Sequence, residues 1–162
     1  MSYVYPPEAY DPHACLKPSL GMILTLAYGA RHLAFVFLAY LPLLPGQADL
    51  AFLKSTLSPA LVLSDVPALL LLLAWRNRHP GAAPFWSWLW RHGQAILLLT
   101  LSVQFALLLF TTAIPQHLRQ AGNSGLLAIG YLTLHGYVLL YWISSRRVRA
   151  VFREFPVLHG SE

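Results

Sequence analysis

Arg31, His32, Asp65, Gln104 and His135 are the residues of this chain whose types and spacing could carry chemistry. Each falls near the middle of a long apolar segment. Asp65 and His135 can take up and release protons, as a transport or binding site requires. His32 and His135, on different segments, are the two imidazoles that bis-histidine ligation of haem b, or contact with a quinone, would use. Arg31 and Asp65 can neutralise each other, because a guanidinium offers five N–H donors in a fork that grips a carboxylate. The first expectation is this last one: a structural Arg31–Asp65 pair that fixes helix register. Such pairs contribute specificity more readily than stability.

Depth supports a shared cluster. The midpoints of the four apolar segments fall near residues 32, 66, 104 and 134. Every segment therefore places a polar side chain at about the same height. A central Arg or Asp costs about 2.5–3.5 kcal/mol each to insert, so two unpaired ones would cost on the order of 5–7 kcal/mol. Arg31 is too far from either end of its segment to snorkel. An inward-facing layer recovers much of that cost.

The elements that must position this layer are helices. The segments run over about residues 20–44, 57–75, 93–114 and 125–143. About 19–25 residues at 1.5 Å each are enough to cross a hydrocarbon core of about 30 Å. The leucine runs Leu69–Leu73 and Leu107–Leu109 show none of the alternation a membrane strand needs. On the first segment Leu24, Tyr28, Arg31, Phe35 and Leu38 share a stripe. Gly21, Thr25 and Gly29 form a small-residue row suited to close helix contact. Thr100, Gln104 and Thr111 share a face of the third, and Tyr131 and His135 are i, i+4 neighbours on the fourth. Pro67 removes a backbone donor near Asp65, which frees a carbonyl near Leu63 and predicts a kink there.

Composition agrees. Of 162 residues, 57% are hydrophobic and 10% charged, against about 25% charged in a soluble domain. The net charge of +5 is assigned to loop positions and not to nucleic-acid binding, because no basic run is interleaved with a soluble fold. The single cysteine, Cys15, cannot form an intrachain disulfide or a thiolate metal cluster. Met1–Leu16 holds no basic residue, and the first apolar segment is expected to be an uncleaved span.

Topology follows from the basic residues. Lys17, Arg76, Arg78, Arg91, Arg146, Arg147, Arg149 and Arg153 fall on one side of the spans, and Lys54 and Arg119 on the other. Both termini are therefore expected in the cytoplasm. Trp75, Trp86, Trp88, Trp90 and Trp142 all fall at the basic ends of spans, where an interfacial aromatic belt is expected. Phe85–Arg91 is expected to form a short interfacial helix, and Gln47–Lys54 an amphipathic surface helix on the opposite side. The basic stretch from Arg146 to Arg153 is a candidate for contact with anionic lipid.

Parts of the chain resemble a known family. Tyr10-Asp11 followed by Leu16-Lys17-Pro18, Ala30-Arg31, Val66-Pro67-Ala68-Leu69, Arg76-Asn77-Arg78-His79 and Ser145-Arg146-Arg147-Val148-Arg149-Ala150 are similar to the YfeZ-like inner-membrane proteins of bacteria. The resemblance covers about residues 10–152. It implies four membrane helices, a bacterial inner membrane and an unassigned activity, and it supplies no catalytic residues.

The expectation is thus a single-domain, all-α polytopic membrane protein: a four-transmembrane-helix bundle with both termini cytoplasmic. No H-E-x-x-H, G-x-S-x-G or phosphate-cradling glycine loop is present, so a non-enzymatic role is favoured. The leading function is an accessory or scaffold subunit that acts in the bilayer through a membrane-protein partner or a second copy, with no cofactor. A small transporter or channel-like subunit with a midplane polar site is the alternative. A haem- or quinone-binding redox protein using His32 and His135 is a further one.

Overall fold

The computed structural model describes residues 5–40, 57–111, 116 and 123–156. Among these the chain is helical, without a strand. A 3-10 turn at Pro7–Ala9 precedes α1 (Leu20–Gly29), α2 (Arg31–Tyr40), α3 (Pro59–Ser64), α4 (Val66–Arg76), α5 (Pro84–Arg91), α6 (Gly93–Thr111), α7 (Asn123–Ser144) and α8 (Arg146–Arg153). The starts are written in the sequence. Ser19, Ser58 and Ser145 each accept an amide of the first turn that follows, from Met22, Leu61 and Val148. Proline occupies the opening turn of α3, α4 and α5, where its missing N–H costs nothing.

Among the described residues, three stretches are long and apolar enough to cross a membrane: Pro59–Arg76, Gly93–Phe110 and Gly125–Ser144. A fourth exists if α1 and α2 count as one span, although they meet at 62°. The first segment is therefore not the continuous helix expected over 20–44. It breaks at Ala30, whose backbone leaves the helix (φ −105°, ψ 17°). Gly29 lets the chain press inward there, since a Cβ on it would lie 3.0 Å from Ala68 Cβ and 3.1 Å from Leu97 Cδ1. The second segment is also interrupted, at Asp65, two residues before Pro67. The Gln47–Lys54 surface helix, the Pro45-Gly46 turn, Pro115, Lys54 and Arg119 lie outside the described residues.

The α6 helix touches α1, α3, α4, α5, α7 and α8, which makes it the centre of the packing. Spans one and two are neighbours, α1 against α4 and α2 against α3. The small row of α1 faces its neighbours as spacing suggests. Gly21 lies by Tyr141, Thr25 accepts the Trp142 indole N–H at 2.8 Å, and Gly29 meets Ala68.

Two apolar clusters flank the middle of the bundle. The larger joins Leu26, Ala68, Leu71, Leu97, Leu101, Val138 and Trp142 to residues of α5 and α8. The smaller is Leu61, Leu108 and Ala128. The expected aromatic belt is only partly at the surface. Trp75 and Trp88 are exposed and Trp86 half-buried, but Trp90 and Trp142 are fully buried. The reason is non-local: α8 lies across the end of the bundle, and its Val148, Val151 and Phe152 cover those rings. The Trp90 N–H reaches the Val151 carbonyl at 3.0 Å, so the indole needs no water.

Candidate functional site

Asp65 lies one turn from Leu61 and Ala68, Gln104 one turn from Leu101 and Leu108, and His135 between Ala128 and Val138. A polar layer thus separates the two apolar clusters. His32, Asp65, Gln104 and His135 have no exposed surface, and Arg31 is 6% exposed. The structure brings all five together, but in pairings that differ from the expected one.

Arg31 does not touch Asp65. Its Nε donates to the Tyr131 hydroxyl oxygen at 2.8 Å. Its Nη1 donates to the Tyr28 carbonyl at 2.9 Å and to Gln104 Oε1 at 3.0 Å. Its Nη2 lies 3.0 Å from His135 Nδ1, and the Tyr28 ring stands under the guanidinium at 3.9 Å. Asp65 instead accepts His32 Nδ1 at 2.8 Å, Gln104 Nε2 at 3.0 Å and the Leu33 amide at 2.8 Å. Gln104 therefore stands between the two charges, its oxygen toward the cation and its nitrogen toward the anion. The break at Ala30 is the physical cause. It starts a new helix at Arg31 and aims that helix's free Leu33 amide at Asp65, which binds it as a capping carboxylate would. The same Gln104 nitrogen also donates to the Gly29 carbonyl at 2.8 Å, so acceptor and donor sides of the break are both met.

Hydrogen-bond partners assign the histidine tautomers. His135 Nε2 faces the Leu101 carbonyl at 2.8 Å and must carry the proton. Its Nδ1 then accepts from Arg31 and, at 3.3 Å, from the Tyr28 hydroxyl. His32 donates from Nδ1 to Asp65, and its Nε2 accepts from Tyr131 at 3.1 Å. All four ring nitrogens are engaged. Bis-histidine ligation by His32 and His135 would have to break bonds to Asp65, Tyr131, Arg31 or Leu101. The Phe105 ring, stacked on His135 at 5.5 Å, closes that side.

Ser64 Oγ donates to the Leu61 carbonyl at 2.6 Å, and Gln104 Nε2 approaches the Ser64 carbonyl at 3.5 Å. Thr100 bonds back to Ile96 within its own helix and takes no part in the layer. Tyr28 and Tyr131 are the members that sequence reasoning left outside the layer. Their signal was present in the spacing, three residues before Arg31 and four before His135.

A second polar knot lies at the α8 end. Arg78 Nη1 donates to the Leu16 carbonyl at 2.9 Å and Nη2 to the Glu154 carbonyl at 3.2 Å. Asp11 lies 3.8 Å away, and the Trp90 ring 5.3 Å. Glu154 Oε2 accepts the Leu16 amide at 2.5 Å. The residues before α1, the α4–α5 connection and the residues after α8 are thereby tied together at one end. Burial lowers the Arg78 pKa from its ordinary value and raises that of the Cys15 thiol, against the opposing pull of Arg78. Here the sequence showed only loop charges. His79 and His92 stay exposed and bond to the carbonyls of Pro80 and Trp88.

No curated protein and no solved structure matches the chain. One family model does, described as "Protein of unknown function (DUF2919)" and aligned to residues 5–154. That alignment contains every helix above and both polar knots, and on it the chain belongs to the DUF2919 family.

Proposed function

We propose that this protein is a non-enzymatic, four-span component of a bacterial inner membrane that acts as an accessory or scaffold subunit through a membrane partner. The observation that carries the proposal is the closure of the polar layer on itself. Among the described residues, the buried side-chain polar atoms without a partner are Arg78 Nε and Arg147 Nε, and both lie outside the layer. A site built to hold a substrate leaves donors or acceptors free for it. Here Gln104, two tyrosines and two histidines satisfy the Arg31 and Asp65 charges, which describes a lock between helices.

The membrane location draws on the apolar spans and on the likeness to YfeZ-like inner-membrane proteins. The eight basic residues on the side of the Arg78 knot favour that end as the cytoplasmic one. The α7 helix carries Leu126, Ile129, Leu134, Tyr137, Leu140 and Ile143 exposed, a surface for lipid or for a partner. Affinity purification in mild detergent tests the proposal. A stoichiometric membrane companion is expected, and a protein recovered alone after in-cell crosslinking overturns it.

The broken first span favours a second reading, a small transporter. Discontinuous helices whose free amides face an anionic group at mid-depth are the way many transporters hold substrates and ions. In this chain the α2 amide of Leu33 faces Asp65. Under that reading Asp65→Asn abolishes an ion- or proton-coupled flux in proteoliposomes. An unchanged flux removes it.

A further inference from the structure

The cytoplasmic-end arginines fall into two groups by what they touch. Arg78 is buried in its knot. Arg149 closes the end of α7, with Nη1 on the Ile143 carbonyl at 2.7 Å and Nη2 on that of Ser144 at 3.5 Å. Arg147 lies half-buried over the Tyr5 ring at 5.5 Å. In contrast, Arg76, Arg91, Arg146 and Arg153 are exposed, and among the described residues none has a hydrogen-bond or ion-pair partner. Two of the described acids at this end are engaged elsewhere. Asp11 accepts the amides of His13 and Cys15, and Glu154 that of Leu16. Glu8 is the exposed acid of the described residues at this end.

The position of these free cations is set by the fold. Arg76 ends α4, Arg91 ends α5, and α8 starts two residues after α7 ends. Arg76, Arg91 and Arg146 therefore stand next to span ends, and Arg153 stands at the far end of α8. The α8 helix is held flat across that end, because Val148, Val151 and Phe152 are buried beneath it. On α5, which ends at Arg91, Phe85 and Trp88 are 51% and 55% exposed. Exposed aromatics beside unpaired arginines at the end of a span match a lipid headgroup layer, where rings meet acyl carbons and guanidinium meets phosphate.

We propose that Arg76, Arg91, Arg146 and Arg153, with Phe85 and Trp88, form a surface that binds anionic phospholipid headgroups selectively over zwitterionic ones. The inference rests on the membrane location proposed above and not on the accessory role. Loss of a partner would leave it standing.

The full-length protein in nanodiscs tests it, with brominated phosphatidylglycerol or brominated phosphatidylcholine at matched mole fractions quenching tryptophan fluorescence. The anionic lipid is expected to quench more strongly, with a preference that weakens as salt rises. Arg146→Gln and Arg153→Gln are each expected to lower the preference by up to about fivefold, while Arg146→Lys retains it. Arg149→Gln is expected to lower thermal stability and to change the preference less. Equal quenching by the two lipids, or equal loss for every arginine including Arg149, overturns the surface. Inorganic phosphate is the competitor for a soluble-anion site. Displacement of the anionic lipid by phosphate beyond that by chloride at equal ionic strength also overturns it.

Discussion

Asp65 caps a helix to which it does not belong. Its Oδ2 accepts the amide of Leu33, the third residue of α2, at 2.8 Å, while its Oδ1 receives His32 and Gln104. A carboxylate buried midway along apolar helices is thus tolerated because the break between α1 and α2 supplies the Leu33 amide to it, and the break is tolerated because the carboxylate satisfies that amide. Asp65→Ala is expected to leave His32 Nδ1 and the Leu33 amide without an acceptor and to strip Gln104 Nε2 of one of its acceptors, at a cost of about 3–5 kcal/mol. Asp65→Asn keeps one acceptor oxygen and is expected to lose less. Unfolding in graded SDS measures both, and equal losses would show that charge, not acceptor capacity, holds α2.

Gln104 is the shorter of two links between Arg31 and Asp65, the other running through Tyr131 and His32. Two double-mutant cycles are expected to show coupling of about 0.5–3 kcal/mol, one between Arg31→Ala and Gln104→Leu and one between Asp65→Ala and Gln104→Leu. A third cycle, Arg31→Ala with Asp65→Ala, is expected to show coupling in the wild-type background and to lose most of it when Gln104 is Leu. Persistence of that coupling without Gln104 would mean that it runs through Tyr131 and His32 and not through Gln104.

How much of this was legible in the chain depends on which property is asked for. Depth is a one-dimensional quantity, so the shared height of Arg31, Asp65, Gln104 and His135 can be read from segment midpoints. Partner choice is not. It depends on the 62° turn between α1 and α2, which redirects His32 and Leu33 toward Asp65 and sends Arg31 to Tyr131 and His135. The Gly29-Ala30 pair carries no helix-breaking residue as strong as proline, so periodicity ran through it. Trp90 and Trp142 read as belt residues because their burial comes from α8, which is 56 residues beyond Trp90 at its start. Arg76 and Arg78 have the same type and nearly the same place in the chain, yet one is exposed and the other lies in a knot with Leu16 and Glu154.

Gly29 marks the tightest helix contact beside the break. A methyl group there would sit 3.0 Å from Ala68 Cβ and 3.1 Å from Leu97 Cδ1, closer than ordinary contact. Ala68 is rigid, whereas Leu97 can rotate. Gly29→Ala is expected to cost about 1–3 kcal/mol by overpacking, and Gly29→Val more. Ala68→Gly combined with Gly29→Ala is expected to recover part of the loss. The same SDS titration reads all three, and a neutral Gly29→Ala would place the approach elsewhere.

Cys15 gives a pH signature for the knot at the α8 end. Cys15 is 8% exposed, and burial raises its thiol pKa above the ordinary 9.0, while nearby Arg78 opposes the shift. The raised value means that the folded state resists ionisation more than the unfolded chain does. Its contribution to stability is therefore complete below about pH 9 and is lost as pH rises through the folded pKa. The wild-type unfolding midpoint is expected to fall more steeply above pH 9 than that of Cys15→Ala, with matching slopes at pH 7–8. Iodoacetamide should label the folded protein at pH 8 more slowly than the SDS-unfolded chain, since the thiolate is the reacting species. Parallel pH profiles for the two proteins, together with equal labelling rates, would place the thiol in water and outside the knot.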